Sequence, residues 1–238
     1  MNPLPLDPCA AHPLDNVIWS ALTTRHASLS EGGDAARRYD TAYAYFAGLA
    51  DPRAGMDALA PVVPAGQGCA LFLPGDVGVG AYFELLDQKD LVQMIGPATA
   101  SAIDPQRFTV LGPQHRAQMT ALVRRTEPGP WLDRTADLGR FVGAFDGDTL
   151  VAMAGERMHV PGHREISAVC TDPAWRGKGL ARDLMIAVSQ AIVARGEVPF
   201  LHVVAANATA IALYERIGFA RRASLRLHIV KRNERPLD

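Results

Sequence analysis

The chain has 238 residues, 48% hydrophobic and 21% charged, with a formal net charge of −1. That supplies apolar material for one large core or two modest ones, and a balanced charge gives no electrostatic footprint for nucleic acid. No apolar run reaches the roughly 18–20 residues of a membrane span, and no basic-then-apolar leader opens the chain. Cys9, Cys69 and Cys170 are too scattered for a disulfide framework or a zinc site. These features predict a cytoplasmic protein with reduced thiols, no metal, and neither a membrane nor a nucleic-acid partner.

After a proline-rich lead, Asp15 or Asn16 is placed to cap a helix running to about Leu29, and Glu31-Gly-Gly-Asp34 closes it. Strand signals follow near Tyr43–Phe46, Cys69–Leu73, Ala81–Leu86 and Leu91–Ile95, parted by glycine- and proline-bearing turns. Gly75, Gly78 and Gly80 lie among them without a basic residue or a helix pattern behind them, so they read as a turn. Short strands with little helix predict a small α+β unit over residues 1–106. The composition shifts near Ala102–Gln106, where a domain boundary is expected.

From there, Phe108–Leu111 reads as a strand and Pro113–Arg125 as a helix with Met119, Leu122 and Val123 inward. Pro128-Gly129-Pro130 separates it from a second, shorter helix over Trp131–Leu138. Phe141–Phe145, the Asp146-Gly147-Asp148 turn and Leu150–Met158 form a predicted hairpin. A Pro161-Gly162 turn leads to a strand over Ile166–Thr171, which Asp172-Pro173 ends.

Arg176-Gly177-Lys178-Gly179-Leu180-Ala181 then opens a helix whose stripe is Leu180, Leu184, Met185, Val188 and Ile192. Strand, glycine-rich turn and helix start in this order make an anion site. The first-turn N–H groups lack intrahelical partners, the helix dipole adds partial positive charge, and the glycines let a diphosphate approach the backbone. A P-loop would need a hydroxyl residue after Lys178, where Gly179 stands, and a dinucleotide fingerprint would need glycine where Arg182 stands. The pattern Arg/Gln-x-x-Gly-x-Gly/Ala remains, and Arg176, Gly179 and Ala181 satisfy it. A strand at Pro199–Val204, a short helix from Asn207 to Gly218-Phe219 and a last strand at Ser224–Val230 complete the chain.

The Arg176–Ala181 segment together with Asn207…Leu213-Tyr214-Glu215…Gly218-Phe219 resembles the GNAT superfamily, the acyl-CoA-dependent N-acyltransferases. The resemblance covers residues 107–238 and implies an α+β fold with a mixed sheet, a GNAT domain carried behind the smaller N-terminal unit. That unit is similar in placement to the degenerate GNAT-like half of the glycine-acyltransferase-like branch, although no internal repeat is legible. The implied reaction moves an acetyl group from acetyl-CoA to a primary amine, on a small molecule or a peptide, by direct attack in a ternary complex. A CoA-binding sensor without catalysis is the alternative, and a monomer or homodimer is expected.

The resemblance also implies site residues. Arg176, Gly177, Lys178, Gly179, Leu180 and Ala181 would hold the diphosphate, and the main chain of Val169, Cys170 and Thr171 the pantetheine arm, with the Val169 N–H polarising the thioester carbonyl. Asn207 would contact the same arm. Tyr214, two helical turns further on, would protonate the departing thiolate. Glu165, eleven residues before Arg176, matches the position of the general base in one branch of the family, and Glu156 is the rival. For either carboxylate, an ion pair with Arg157 or Arg164 explains the residue equally well. Cys170 reads as a core thiol and not as a nucleophile, and the seven histidines as structural or surface groups.

Overall fold

The computed structural model describes residues 12–97 and 103–237. The proline-rich lead, Cys9 and the Ala102 end of the expected boundary lie outside them. Helix α1 (Val17–Thr23) is followed by three short antiparallel strands, β1 (Ser30–Gly32), β2 (Ala36–Tyr39) and β3 (Ala47–Leu49), which form a small sheet in chain order. Strands β4 (Gly68–Leu73) and β5 (Phe83–Ile95) precede β6 (Thr109–Leu111), α2 (Arg116–Thr126), β7 (Phe141–Asp146), β8 (Thr149–Val160) and β9 (His163–Thr171). The chain ends with α3 (Leu180–Val193), β10 (Val198–Val204), α4 (Ala208–Arg216) and β11 (Ala220–Arg232).

Eight strands make one sheet in the order β4-β11-β5-β10-β9-β8-β7-β6. Only the β9–β10 pair is parallel; every other neighbour is antiparallel. The fold is α+β with a mixed sheet, as expected. The independence of residues 1–106 is corrected, because β5 lies between β10 and β11 and is hydrogen-bonded to both. The boundary near residue 106 falls in the β5–β6 connection and does not divide the sheet. The polar run Asp87–Asp90 made β5 look like two strands. It is one strand of 13 residues, with a register shift near Leu86 where β11 follows it.

Alternation puts Ile166, Ala152 and Ala154 on the sheet face covered by α3, whose Leu184, Met185 and Ile192 are fully buried there. Each such side chain contributes about 1.5–3 kcal/mol by leaving water. Met153 and Cys170 point to the opposite face, against Met119 and Leu122 of α2. Further along that face α1 buries Ile18 and Leu22 beside Tyr39, Phe46 and Phe200. Two helix expectations shrink. The first helix stops at Thr23, with only a 3₁₀ turn at Ala27–Leu29. Over 131–138 the only helical stretch is the 3₁₀ turn Thr135–Leu138, and the Thr135 hydroxyl accepts the Leu132 N–H at 2.8 Å ahead of it. Among the described residues no helix is long and apolar enough to cross a membrane, and no group of three or more metal-ligand side chains assembles.

Candidate active site

The parallel ladder between β9 and β10 runs only from Val198↔His163 to Phe200↔Glu165. Beyond it β10 stays with β5 as far as Val204, while β9 stays with β8 as far as Thr171. The two strands part, and among the described residues no strand pairs with the β10-facing edge of β9 after Glu165. A bulge sharpens the divergence. The β8–β9 register slips between Ser167 and Cys170, where Ala168 takes φ +51°. A left-handed alanine costs on the order of 1 kcal/mol, and strain of this kind concentrates at functional sites.

The gap opens into a cleft of about 390 Å³ bounded by β9, the 175–182 loop and α4. Val169, Cys170 and Thr171 line it from the strand; Arg176, Gly177, Gly179, Leu180 and Ala181 line it from the loop and helix start. Gly177 and Gly179 both hold φ +78°, a backbone that a side chain would strain. A Cβ on Gly177 would meet nothing within 4 Å, so its surface is open to a guest. The first intrahelical bond of α3 is Asp183 N–H to Gly179 O at 3.1 Å, which leaves the Leu180, Ala181 and Arg182 N–H groups to face the cleft end. Among the described residues the sealed Thr171 hydroxyl has no hydrogen-bond partner. The first-turn N–H groups suit an anionic, phosphate-bearing guest. Lys178 departs from expectation: its Nζ sits 3.8 Å over the Trp175 ring and does not line the cleft.

A second cleft of about 640 Å³ shares Thr126 and Val169 with the first. Asn207 and Tyr214 line it from the cap and body of α4; Tyr45, Phe46 and Phe72 line the far side. Asn207 caps α4 by accepting the Ala210 N–H at 3.1 Å. Burial raises the Tyr214 phenol, which stays protonated through the neutral range. Among the described residues its hydroxyl has no hydrogen-bond partner.

Neither candidate carboxylate is disposed as a base. Glu165 is fully buried, and its two oxygens take forked bonds from Arg157 at 2.7 and 2.8 Å and a third from His202 Nδ1 at 2.8 Å. Burial alone would push this carboxyl up. The Arg157 charge and the hydrogen bonds from Arg157 and His202 outweigh it and hold it at about 2. Glu156 is 2% exposed, bonded to Arg195 at 2.6 Å with Arg164 at 3.4 Å, and lines neither cleft. For both residues the ion-pair explanation describes the geometry. The Cys170 thiol is pushed up to about 11 by burial, so it stays a thiol.

Sequence reasoning missed the wall that faces Tyr214. Tyr45, Phe46 and Phe72 come from the N-terminal half, whose place in the sheet was not foreseen. His202, taken as structural, ends a buried relay. Its Nδ1–H is assigned to Glu165, so Nε2 accepts from the Gln93 amide at 3.1 Å, and the Gln93 oxygen accepts from Arg222 at 2.8 Å. The alternation of β10 places His202 and Val204 on one face, which is the only sequence signal for it.

A sheet parted between two parallel strands, with a glycine-rich helix start at the mouth of the gap, defines the class of the protein: a mixed α+β fold with an anion-binding cleft between its strands. The FR47-like protein family model matches residues 141–227. A solved structure described as a GNAT-family acetyltransferase from Novosphingobium aromaticivorans is 37% identical; the match covers 94% of this chain and all of that one, with a TM-score of 0.89. The chain belongs to the GNAT family. It is 39% identical over 84 residues to the N-alpha-acetyltransferase RimI of Mycobacterium tuberculosis, across 34% of this chain and 52% of that one. It is 33% identical over 111 residues to the mycothiol acetyltransferase of Saccharopolyspora erythraea, across 46% of this chain and 35% of that one. The chain thus spans about half or less of the curated relatives it matches.

Proposed function

We propose that this protein transfers the acetyl group of acetyl-CoA to a primary amine by direct attack within a ternary complex. The observation that carries the reading is the parting of β9 from β10 beside a helix start whose first-turn N–H groups have no intrahelical acceptor. Arg176 and the amides of Leu180 and Ala181 would bind the diphosphate, and the open edge of β9 the pantetheine arm. The thioester would then lie where the two clefts meet, at Val169, whose N–H would polarise its carbonyl.

The amine nitrogen forms the new C–N bond, the C–S bond breaks, and the sulfur leaves as thiolate. Tyr214 would give it a proton and regain one from solvent. The reference phenol lies about 1.5 above a thiol, and burial widens the gap, so this transfer is uphill and completes only once C–S cleavage is advanced. Glu165 is not proposed as the base, since a carboxylate held at about 2 is a poor acceptor for an ammonium proton. The amine would instead arrive neutral and lose its second proton to solvent in the open cleft.

Calorimetry with CoA, followed by thiol release on a panel of amines, tests the reading. Binding and turnover are expected together. Binding without turnover on any amine would favour a sensor, and absence of CoA binding to folded protein would sink both.

A further inference from the structure

An amine must be free to attack, so whatever anchors the acceptor has to grip another part of it. The wall opposite Tyr214 offers hydrogen-bond donors for that purpose. Arg157 reaches this cleft with a side chain 12% exposed, its guanidinium fixed from behind by the fully buried Glu165. The fork uses Nε and Nη2. Among the described residues Nη1 has no acceptor, and it is not among the sealed, unpartnered atoms of the protein. Its N–H groups are therefore presented to the cleft in a fixed plane, the geometry by which arginine takes a carboxylate.

Lys89 lines the same cleft. Among the described residues its one carboxylate partner, Asp87 at 3.0 Å, is about half-exposed like Lys89 itself, a pairing that holds it weakly. Tyr45 joins them, close enough that the charges of Arg157 and Lys89 both act on its phenol against the upward push of burial. Between these polar groups the surface is aromatic and aliphatic: Phe46 stacks on Tyr45, Phe72 lies 5.2 Å from Phe46, and Leu91 and Leu227 complete it. The single acid of the lining, Glu127, is exposed and sits at the α2 end.

We propose that the acceptor is an amino acid-like molecule, a primary amine carrying a carboxylate and an apolar side chain, with the carboxylate on Arg157 Nη1, Lys89 and Tyr45 and the side chain against Phe46 and Phe72. This rests on the acetyltransferase reading for its chemistry, although the binding site itself does not require it. Polycationic acceptors would meet two cations on this wall and no buried acid to hold them.

The test titrates the CoA-loaded protein with N-acetylphenylalanine and, separately, with N-acetylphenethylamine, which lacks only the carboxylate. The expected result is tighter binding of the carboxylate form by about ten- to hundredfold, the value of one or more charge-assisted hydrogen bonds. Arg157→Lys and Lys89→Ala should each shrink that ratio severalfold, with CoA binding as the control for folding. Equal binding of the two probes, binding of neither, or a ratio unchanged in both variants overturns the proposal. The same titrations without CoA keep the two readings apart. A carboxylate preference in a protein that takes up no CoA would sink the acetyltransferase reading alone.

Discussion

Replacing Glu165 with glutamine separates two roles open to a buried carboxylate beside a reaction cleft. Glutamine keeps the shape and can accept one bond, but it leaves the Arg157 guanidinium without a counter-charge. The carboxyl is held at about 2 against an ordinary 4.5, a gap worth roughly 3 kcal/mol of preference for the charged form. The group is wholly buried, so solvent screening takes little from that figure, and losing one partner of a buried pair costs about 3–5 kcal/mol in general. Urea unfolding at pH 7 should therefore show Glu165→Gln less stable by about 3 kcal/mol. The sign with pH follows. A carboxyl depressed by folding contributes its stability fully above 4.5 and loses it as pH falls toward 2, so the native protein should weaken over that window and the variant should lack that slope. Turnover per folded molecule, read by thiol release at saturating substrates, should stay within severalfold. A variant of native stability whose turnover falls by a hundredfold or more would refute the anchoring role and restore Glu165 as the base.

Tyr214→Phe should lower turnover about ten- to hundredfold while the calorimetric CoA affinity stays put; a collapse of affinity with unchanged turnover would remove the phenol from acid duty. With no carboxylate base, kcat/KM should climb about tenfold per pH unit until the acceptor amine is neutral, and a plateau below pH 7 would point to a titrating protein group. Gly179→Ala forces a side chain into φ +78° and should cost about 1–2 kcal/mol together with several-fold weaker CoA binding, checked by thermal unfolding and titration. His26 is lowered to about 4, first by burial and then by the neighbouring His159 and Arg164 charges. Unfolding takes up its proton from 6.5 downward, so stability should drain by roughly 3 kcal/mol between 6.5 and 4, and His26→Phe should flatten that stretch of the curve.

The glycine-bearing stretch 176–181 was legible because its chemistry is local. Left-handed turns and a bare helix start are written in adjacent residues, and the same holds for Asn207 as the α4 cap. The acceptor wall was not legible, because Tyr45, Phe72 and Lys89 meet Tyr214 only through sheet order, and β5 pairs with strands about a hundred residues later. A non-local pairing leaves no periodicity in either partner. The two glutamates show a third case. Spacing located Glu165 on the strand, but the forked bond from Arg157 decides its charge, and that bond depends on a second register slip of the hairpin, between Glu156 and His159, which sets Arg157 and Met158 opposite Glu165. Lys178 was displaced by a neighbour, Trp175, whose indole face competes for the ammonium.

The location of β5 between β10 and β11 also bears on synthesis. At about 5–20 residues per second, β5 emerges from the ribosome roughly 5–20 seconds before β10 exists. In that interval both of its long edges are bare, and Leu85 and Leu86 remain exposed even in the finished protein. Those edges need shielding until β10 and β11 have followed, so expression yield should depend on chaperone supply more than the stability of the finished molecule suggests.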